Sequence, residues 1–303
     1  MTVSDSLQGA QNENGHPIYG NEEPLLSLIT HRHDVQFRVM SISHGDATTA
    51  NLQSTSGFLA VQASHVGQLR AHNEDSSAWL PELGLAVVAD GVGGYRAGEV
   101  ASAIATYQIV SELYRRWLTA GRSWKATALC STLEAALGSA NHAIIEVAGR
   151  EIRYQGMATT AVAAVFGSET LWLAHIGDSR LYRWRESTLT VLTHDHTLQQ
   201  QLIDQGLCSP TEAAAAVGSN IITRALGAEA SARVETSRHR LHAGDRYLLC
   251  TDGLHDMLED REIASSMATI KNVQTSACHL LDLANLAGGH DNITVILVAS
   301  TKQ

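Results

Sequence analysis

Four apolar runs in this chain stop at, or start from, an aspartate flanked by glycine, serine or asparagine. "LAVVADG" reaches Asp90, "LAHIGDS" reaches Asp178, "YLLCTDG" reaches Asp252, and "GGHDNITVILV" starts from Asp291. Short apolar runs bounded by turn residues read as buried strands. Strand ends can converge at one edge of stacked sheets, and carboxylates gathered there repel one another and lose hydration. Cations remove that conflict. The recurring donors are oxygens, without a cysteine or histidine set, so hard divalent ions, Mg2+ or Mn2+, fit them. A single aspartate in this setting is as readily a turn cap. The repetition favours a shared site, and "RAHNEDS" adds the pair Glu74 and Asp75.

After Asp90 come Gly91, Gly93 and Gly94. Glycine allows the backbone to approach a ligand closely, and the Gly91 carbonyl is itself a candidate ligand. The next segment has apolar residues at helical spacing (Val100, Ile104, Tyr107, Val110, Leu113, Tyr114), and "ATALCSTLEAALGSANHAIIEVA" predicts a second amphipathic helix. "TTAVAAVF" and "TLWLAHI" across "GSE", and "RLYRWR" and "LTVLT" across "EST", predict hairpins. Residues 197–230 read as helical and polar, and two short helices are expected over 259–286. Strands interleaved with helix pairs predict an α+β fold of antiparallel sheets covered by helices. One folded domain is expected over 56–301. Residues 1–55, polar and poorly periodic, predict a disordered extension, with "HRHDVQFRVM" as one short strand. His31 and His33 lack complementary ligands nearby and read as part of a solvated tail.

A formal net charge of -10 argues against nucleic-acid binding, which needs clustered basic residues. "EEPLLSLIT" is too short for a membrane span or a signal-peptide core. Cys130, Cys208, Cys250 and Cys278 form no C-x-x-C pair and suit free thiols in a reducing cytoplasm.

"RAHNEDS", "VADGVGGYRAGEVAS", "GMATTAVAAVF", "AHIGDSRLYRW", "ITRALG", "LLCTDGL" and "GGHDNITVILV" occur in that order. Together they resemble the metal-dependent Ser/Thr protein phosphatases of the protein phosphatase 2C type, and the bacterial members most. The resemblance implies two stacked antiparallel β-sheets flanked by helix pairs, an α-β-β-α sandwich. It implies two or three Mg2+ or Mn2+ ions at one end. Asp90 would bridge two ions and Gly91 would give a carbonyl to one. Asp252 and Asp291 would hold the other, with Asp75 assisting and Glu74 acting more loosely. Asp178, sharing Asp252, would hold a third. Arg70 matches the arginine that binds the substrate phosphate, and Asn292 would orient its loop. The implied partners are phosphorylated proteins, targets of a bacterial Ser/Thr kinase, and the chain is expected to be a cytoplasmic monomer.

Many eukaryotic members have a histidine, proposed as general acid, where this chain has Val92. The leaving-group proton must then come from elsewhere, such as a water near Asp178. "THDHTLQQQL" could suggest His194, Asp195 and His196 as metal ligands, but the pattern is weak and a solvated loop is favoured. That loop leads into a flap over 197–222, with Arg224 supporting the region or forming a structural salt bridge. The alternative function is a phosphatase-like regulator that binds phosphoproteins without turnover. It should have lost metal acids, yet Asp90, Asp178, Asp252 and Asp291 are present.

Overall fold

The structure, a computed structural model, describes residues 49–55, 57–94, 97–216 and 221–301. The chain divides into residues 1–38 and Val39–Gln303, and everything described lies in the second unit. His31, His33 and most of the expected extension therefore lie outside the described residues, as do Tyr95, Arg96 and residues 217–220 of the expected flap.

One sheet runs β1 (Thr49–Thr55), β2 (Phe58–His65), β12 (Ile293–Ser300), β11 (Arg246–Cys250), β8 (Arg180–Arg185), β9 (Thr188–Val191). The other runs β10 (Glu235–Arg240), β7 (Thr170–Ile176), β6 (Ala161–Phe166), β4 (Leu85–Val92), β3 (Asp75–Leu80), with β5 (Ala158–Thr159) beside the end of β4. Among the described residues every pairing is antiparallel.

Between the sheets, Ala86, Val88, Val162, Ala164, Leu249, Ile296 and Val298 form one buried cluster. Phe166 is its hub, with ring centroids 5.4 Å from Phe58, 5.3 Å from Tyr247 and 6.0 Å from Trp79. Helices α1 (Ala97–Thr119) and α2 (Leu129–Arg150) cover the second sheet. Two more, which we number α6 (Asp260–Thr269) and α7 (Val273–Leu286), cover the first through Ile263, Met267, Ala277, Leu280 and Leu281. Layers on both faces explain why the central strands read as continuous apolar runs rather than alternating ones.

Local chemistry sets the ends. Glu259 and Glu262 form a capping box on α6, and Asn272 accepts the Thr275 N–H at 2.8 Å to start α7. Glu186 and Ser187 both adopt positive φ, 48° and 64°, as a tight hairpin turn between β8 and β9 requires.

Two expectations need correction, and two strands went unforeseen. Strand β1 pairs with β2 along its whole length, so the sheet begins inside the segment assigned to a disordered extension. Residues 197–230 hold just two described helices, α3 (Leu198–Asp204) and α4 (Pro210–Ala216), with the described part of 221–230 irregular. Strands β3 and β10 escape a hydrophobicity reading because both carry polar residues. Ser76 and Ser77 of β3 are buried, and Gln62 donates to the Ser77 hydroxyl at 2.7 Å. Edge strand β10, "ETSRHR", turns alternate residues outward.

Candidate metal centre and active site

Five aspartates meet at one end of the two sheets. Asp75 opens β3 directly opposite Asp90 on β4. Like charges facing each other across an antiparallel pair are destabilising. Asp178 follows β7 by two residues, Asp252 begins the short helix α5 (Asp252–His255) after β11, and Asp291 precedes β12.

Hydroxyls and amides fix the backbone around these acids. The Asp90 N–H donates to the Thr160 hydroxyl at 3.0 Å, while the Asp90 carbonyl accepts from the Thr159 hydroxyl at 2.7 Å and the Thr160 N–H at 2.9 Å. Thr251 donates to Asp75 Oδ2 at 2.9 Å. Asn292 accepts the Glu74 N–H at 2.8 Å and donates to the carbonyls of Val66 and His72 at 2.8 and 2.9 Å. It points at three backbone groups and joins the loop before β3 to the loop before β12.

The glycines matter here for close packing. A Cβ on Gly91 would lie 2.1 Å from the Gly98 carbonyl oxygen, and one on Gly253 would lie 2.0 Å from the Asn292 carbonyl oxygen. Both substitutions would push the adjoining acid away from the cluster.

The electrostatics are those of an anionic site. Burial, then the charges of Asp252, Asp75, Asp178 and Asp291, push the Asp90 carboxyl well above the usual range. Asp75 is pushed up to about 8, by burial first and by Asp252 and Asp291, against hydrogen bonds from Thr294 and Thr251 that lower it. Asp178 rises to about 7, through burial and Asp252, with His255 acting to lower it. Asp252 and Glu74 are also raised, burial being the largest cause in each. Asp75 Oδ1, Asp178 Oδ1 and Asp252 Oδ1 are buried without a hydrogen-bond partner. Among the described residues, Arg70 is the one arginine or lysine in salt-bridge contact with these five, through Asp291 at 2.6 Å, and it stands half exposed at the rim. Orphaned carboxylate oxygens, all hard donors, fit divalent cations.

The structure places Arg70, Glu74, Asp75, Asp90, Gly91, Asp178, Asp252, Asp291 and Asn292 in this one region. His194, Asp195 and His196 do not form a second centre. His194 bonds Asp204 at 2.7 Å, Asp195 forms an ion pair with Arg180 at 2.6 Å, and His196 stacks on His175. His196 is 2% exposed, which corrects the expectation of a solvated loop. Arg224 forms a salt bridge with Glu235 at 3.0 Å. Thr159, Thr160, Thr251 and His255 touch the centre and received no role from sequence reasoning. Their signal was adjacency, since "TTAV" and "CTDGL" lie within quoted motifs and His255 follows the second directly, but a side chain's partner is invisible in one dimension.

Fold and site together define a two-sheet sandwich with an acidic, cation-fitted centre at one end. Comparisons agree. The protein phosphatase 2C family model matches residues 62–279. The serine/threonine phosphatase Stp of Listeria welshimeri is 35% identical over 235 residues, covering 77% of this chain and 92% of that protein. The crystal structure of the Mycobacterium tuberculosis serine/threonine phosphatase PstP superposes with a TM-score of 0.74 at 35% identity, over 82% of this chain and all of that one. A structure of the PstP catalytic domain in complex with two manganese ions gives 0.71 at 35% identity, over 81% and 99%. The chain belongs to the protein phosphatase 2C family of metal-dependent Ser/Thr protein phosphatases, as a member of bacterial type.

Proposed function

We propose that this chain hydrolyses phosphoserine and phosphothreonine in proteins, with two or three Mg2+ or Mn2+ ions held by the strand-end acids. The observation that carries the reading is the convergence of Asp75, Asp90, Asp178, Asp252 and Asp291 with three buried, unpartnered carboxylate oxygens. Asp90 and the Gly91 carbonyl would hold one ion, and Asp252 and Asp291, with Asp90 shared, a second. Asp75 adds its free oxygen, and Asp178 with Asp252 suits a further ion. Bound cations supply charge neutralisation and hydroxide near neutral pH.

The chain's own groups do the rest. Thr159 and Thr160 hold the Asp90 backbone. Arg70 presents a planar fork at the rim, suited to the equatorial oxygens of a phosphoryl group. It now bonds Asp291 at 2.6 Å, and with a cation held by that carboxylate it would be available to clamp the substrate. Val92 is 46% exposed and has no proton to give. Cys250, fully buried with its thiol pushed up by burial, is not a nucleophile. The free thiols support a reducing, cytoplasmic setting, with substrates supplied by a Ser/Thr kinase.

Hydrolysis of p-nitrophenyl phosphate and of a phosphothreonine peptide, each with Mn2+ and with EDTA, tests this. Turnover of both with Mn2+ and of neither with EDTA is expected. Phosphopeptide binding without hydrolysis under Mn2+ would favour the non-catalytic regulator instead.

A further inference from the structure

A buried histidine group lies just outside the carboxylate cluster and has no part in the function above. His175, His196 and Glu235 bring their ligating atoms within 4.8 Å of one another. Two imidazoles and a carboxylate are a transition-metal set, but the arrangement opposes a cation. The rings are stacked, 5.1 Å between centroids and 9° between planes. An ion bound by both must lie in both ring planes, and stacked near-parallel planes do not share such a point. His196 Nδ1 also accepts the Gly177 N–H at 3.0 Å. The neutral ring then carries its proton on Nε2, which stands 3.1 Å from Glu235 Oε1. Arg224 already occupies that oxygen at 3.0 Å.

What His196 does hold is the backbone before Asp178. Its ring accepts the Gly177 N–H, and its backbone N–H donates to the Gly177 carbonyl at 3.0 Å. Gly177 has φ +98°, and a Cβ there would lie 2.6 Å from the Thr160 side chain. This glycine-dependent turn satisfies both its polar groups on one residue. On the far side, His255 Nε2 donates to the Asp178 carbonyl at 3.1 Å. The His196 carbonyl meanwhile accepts the Thr223 N–H at 2.8 Å and hydroxyl at 3.1 Å, and the Leu198 N–H donates to Ile221 at 2.8 Å. His196 thus sits where the segment bearing α3 and α4 leaves and rejoins the domain.

We propose that His196 is a positioning residue for Asp178: it locks the Gly177 peptide and ties it to the root of the segment 197–222. The side chain sets the Gly177 peptide that leads into Asp178, and the same residue's backbone carbonyl anchors Thr223 at the root of that segment. This rests on the metal-dependent reading above. Burial keeps the ring neutral, pushing it down to about 4, and the Gly177 N–H on Nδ1 fixes its tautomer.

The test is Mn2+ binding to the full chain by titration calorimetry, for wild type, His196→Asn, His196→Gln and His196→Leu. Asparagine keeps an acceptor at the Nδ1 position, whereas glutamine keeps a polar group toward Glu235 and loses that acceptor. Expected is near-wild-type binding in the Asn variant. In the Gln and Leu variants the weakest-bound ion should lose about tenfold or more in affinity, the range for groups that orient metal ligands, with the tighter ions unchanged. Excess Mn2+ should restore hydrolysis in the Gln variant. Equal weakening in Asn and Gln, or no weakening in any variant, overturns the proposal. If the Leu variant does not fold, the Asn and Gln pair decides. Wild-type Mn2+ binding without hydrolysis breaks the functional reading alone, and the variants' affinities still decide the role of His196.

Discussion

Asp245 and Asp178 are both buried aspartates beside strand ends, 1% and 3% exposed, yet they are treated oppositely. Asp245 receives two bonds from Arg185 at 2.7 Å, one from Tyr247 at 2.7 Å and one from the His242 N–H at 2.8 Å. Burial raises its pKa, but these donors overcome burial and hold it below the usual carboxylate range. Asp178 has an orphaned oxygen and acidic neighbours, and it is pushed up to about 7. A buried acid built for stability arrives with its cation in the sequence. A buried acid built for function leaves that place for something else.

Replacing acids on each side of this comparison gives opposite signatures. Asp90→Asn or Asp252→Asn should lower Mn2+-dependent hydrolysis about a thousandfold or more. The same variants should raise the melting temperature of the metal-free protein, because a repulsive charge is gone; a fall in that temperature breaks the contrast. Asp245→Asn should do the reverse. It should cost about 2–4 kcal/mol of stability, read as a melting shift of roughly 10 °C, and leave kcat at saturating Mn2+ unchanged.

pH separates the two kinds of acid next. Asp75 and Asp178 have folded pKa values above their unfolded ones, so the folded state holds more protons between those values. Stability of the metal-free protein should therefore fall as pH rises from 6.5 to 8.5, by about 1 kcal/mol or more, visible in melting curves. Asp245 is ionised in both states there and should contribute nothing. His175 and His196, lowered by burial, act in the opposite sense below that window, which is why it starts at 6.5. Saturating Mn2+ should flatten the slope. The smallest expected effect is at the rim: Arg70→Lys should lower kcat/KM about tenfold by losing the bidentate fork while keeping the charge. An unchanged kcat/KM would remove the phosphate-clamp role.

Much of this acidic cluster was legible in one dimension because its carboxylates sit where strands stop. An apolar run ending on aspartate and glycine marks both the strand and the acid, so Asp90, Asp178 and Asp252 stood out before any fold was known. Asp75 was legible as an acid, but its strand was not, because Ser76 and Ser77 disguise a buried β3. His196 was misread as solvated, since "THDHT" is polar and its burial depends on His175 and Glu235, residues 21 and 39 positions away in the chain.

By itself, the sequence determined the strand and helix periods, the acid at each strand end and the oxygen-only donor set. Those are local properties, written in side-chain size, polarity and spacing. Tertiary structure alone decided that Asp75 faces Asp90, that Asn292 ties the two acidic loops together, and that His196 grips Gly177. Such contacts join residues far apart along the chain, and their geometry depends on how two sheets stack and register. That is also why three buried carboxylate oxygens could be seen to lack partners only once every neighbour was in place.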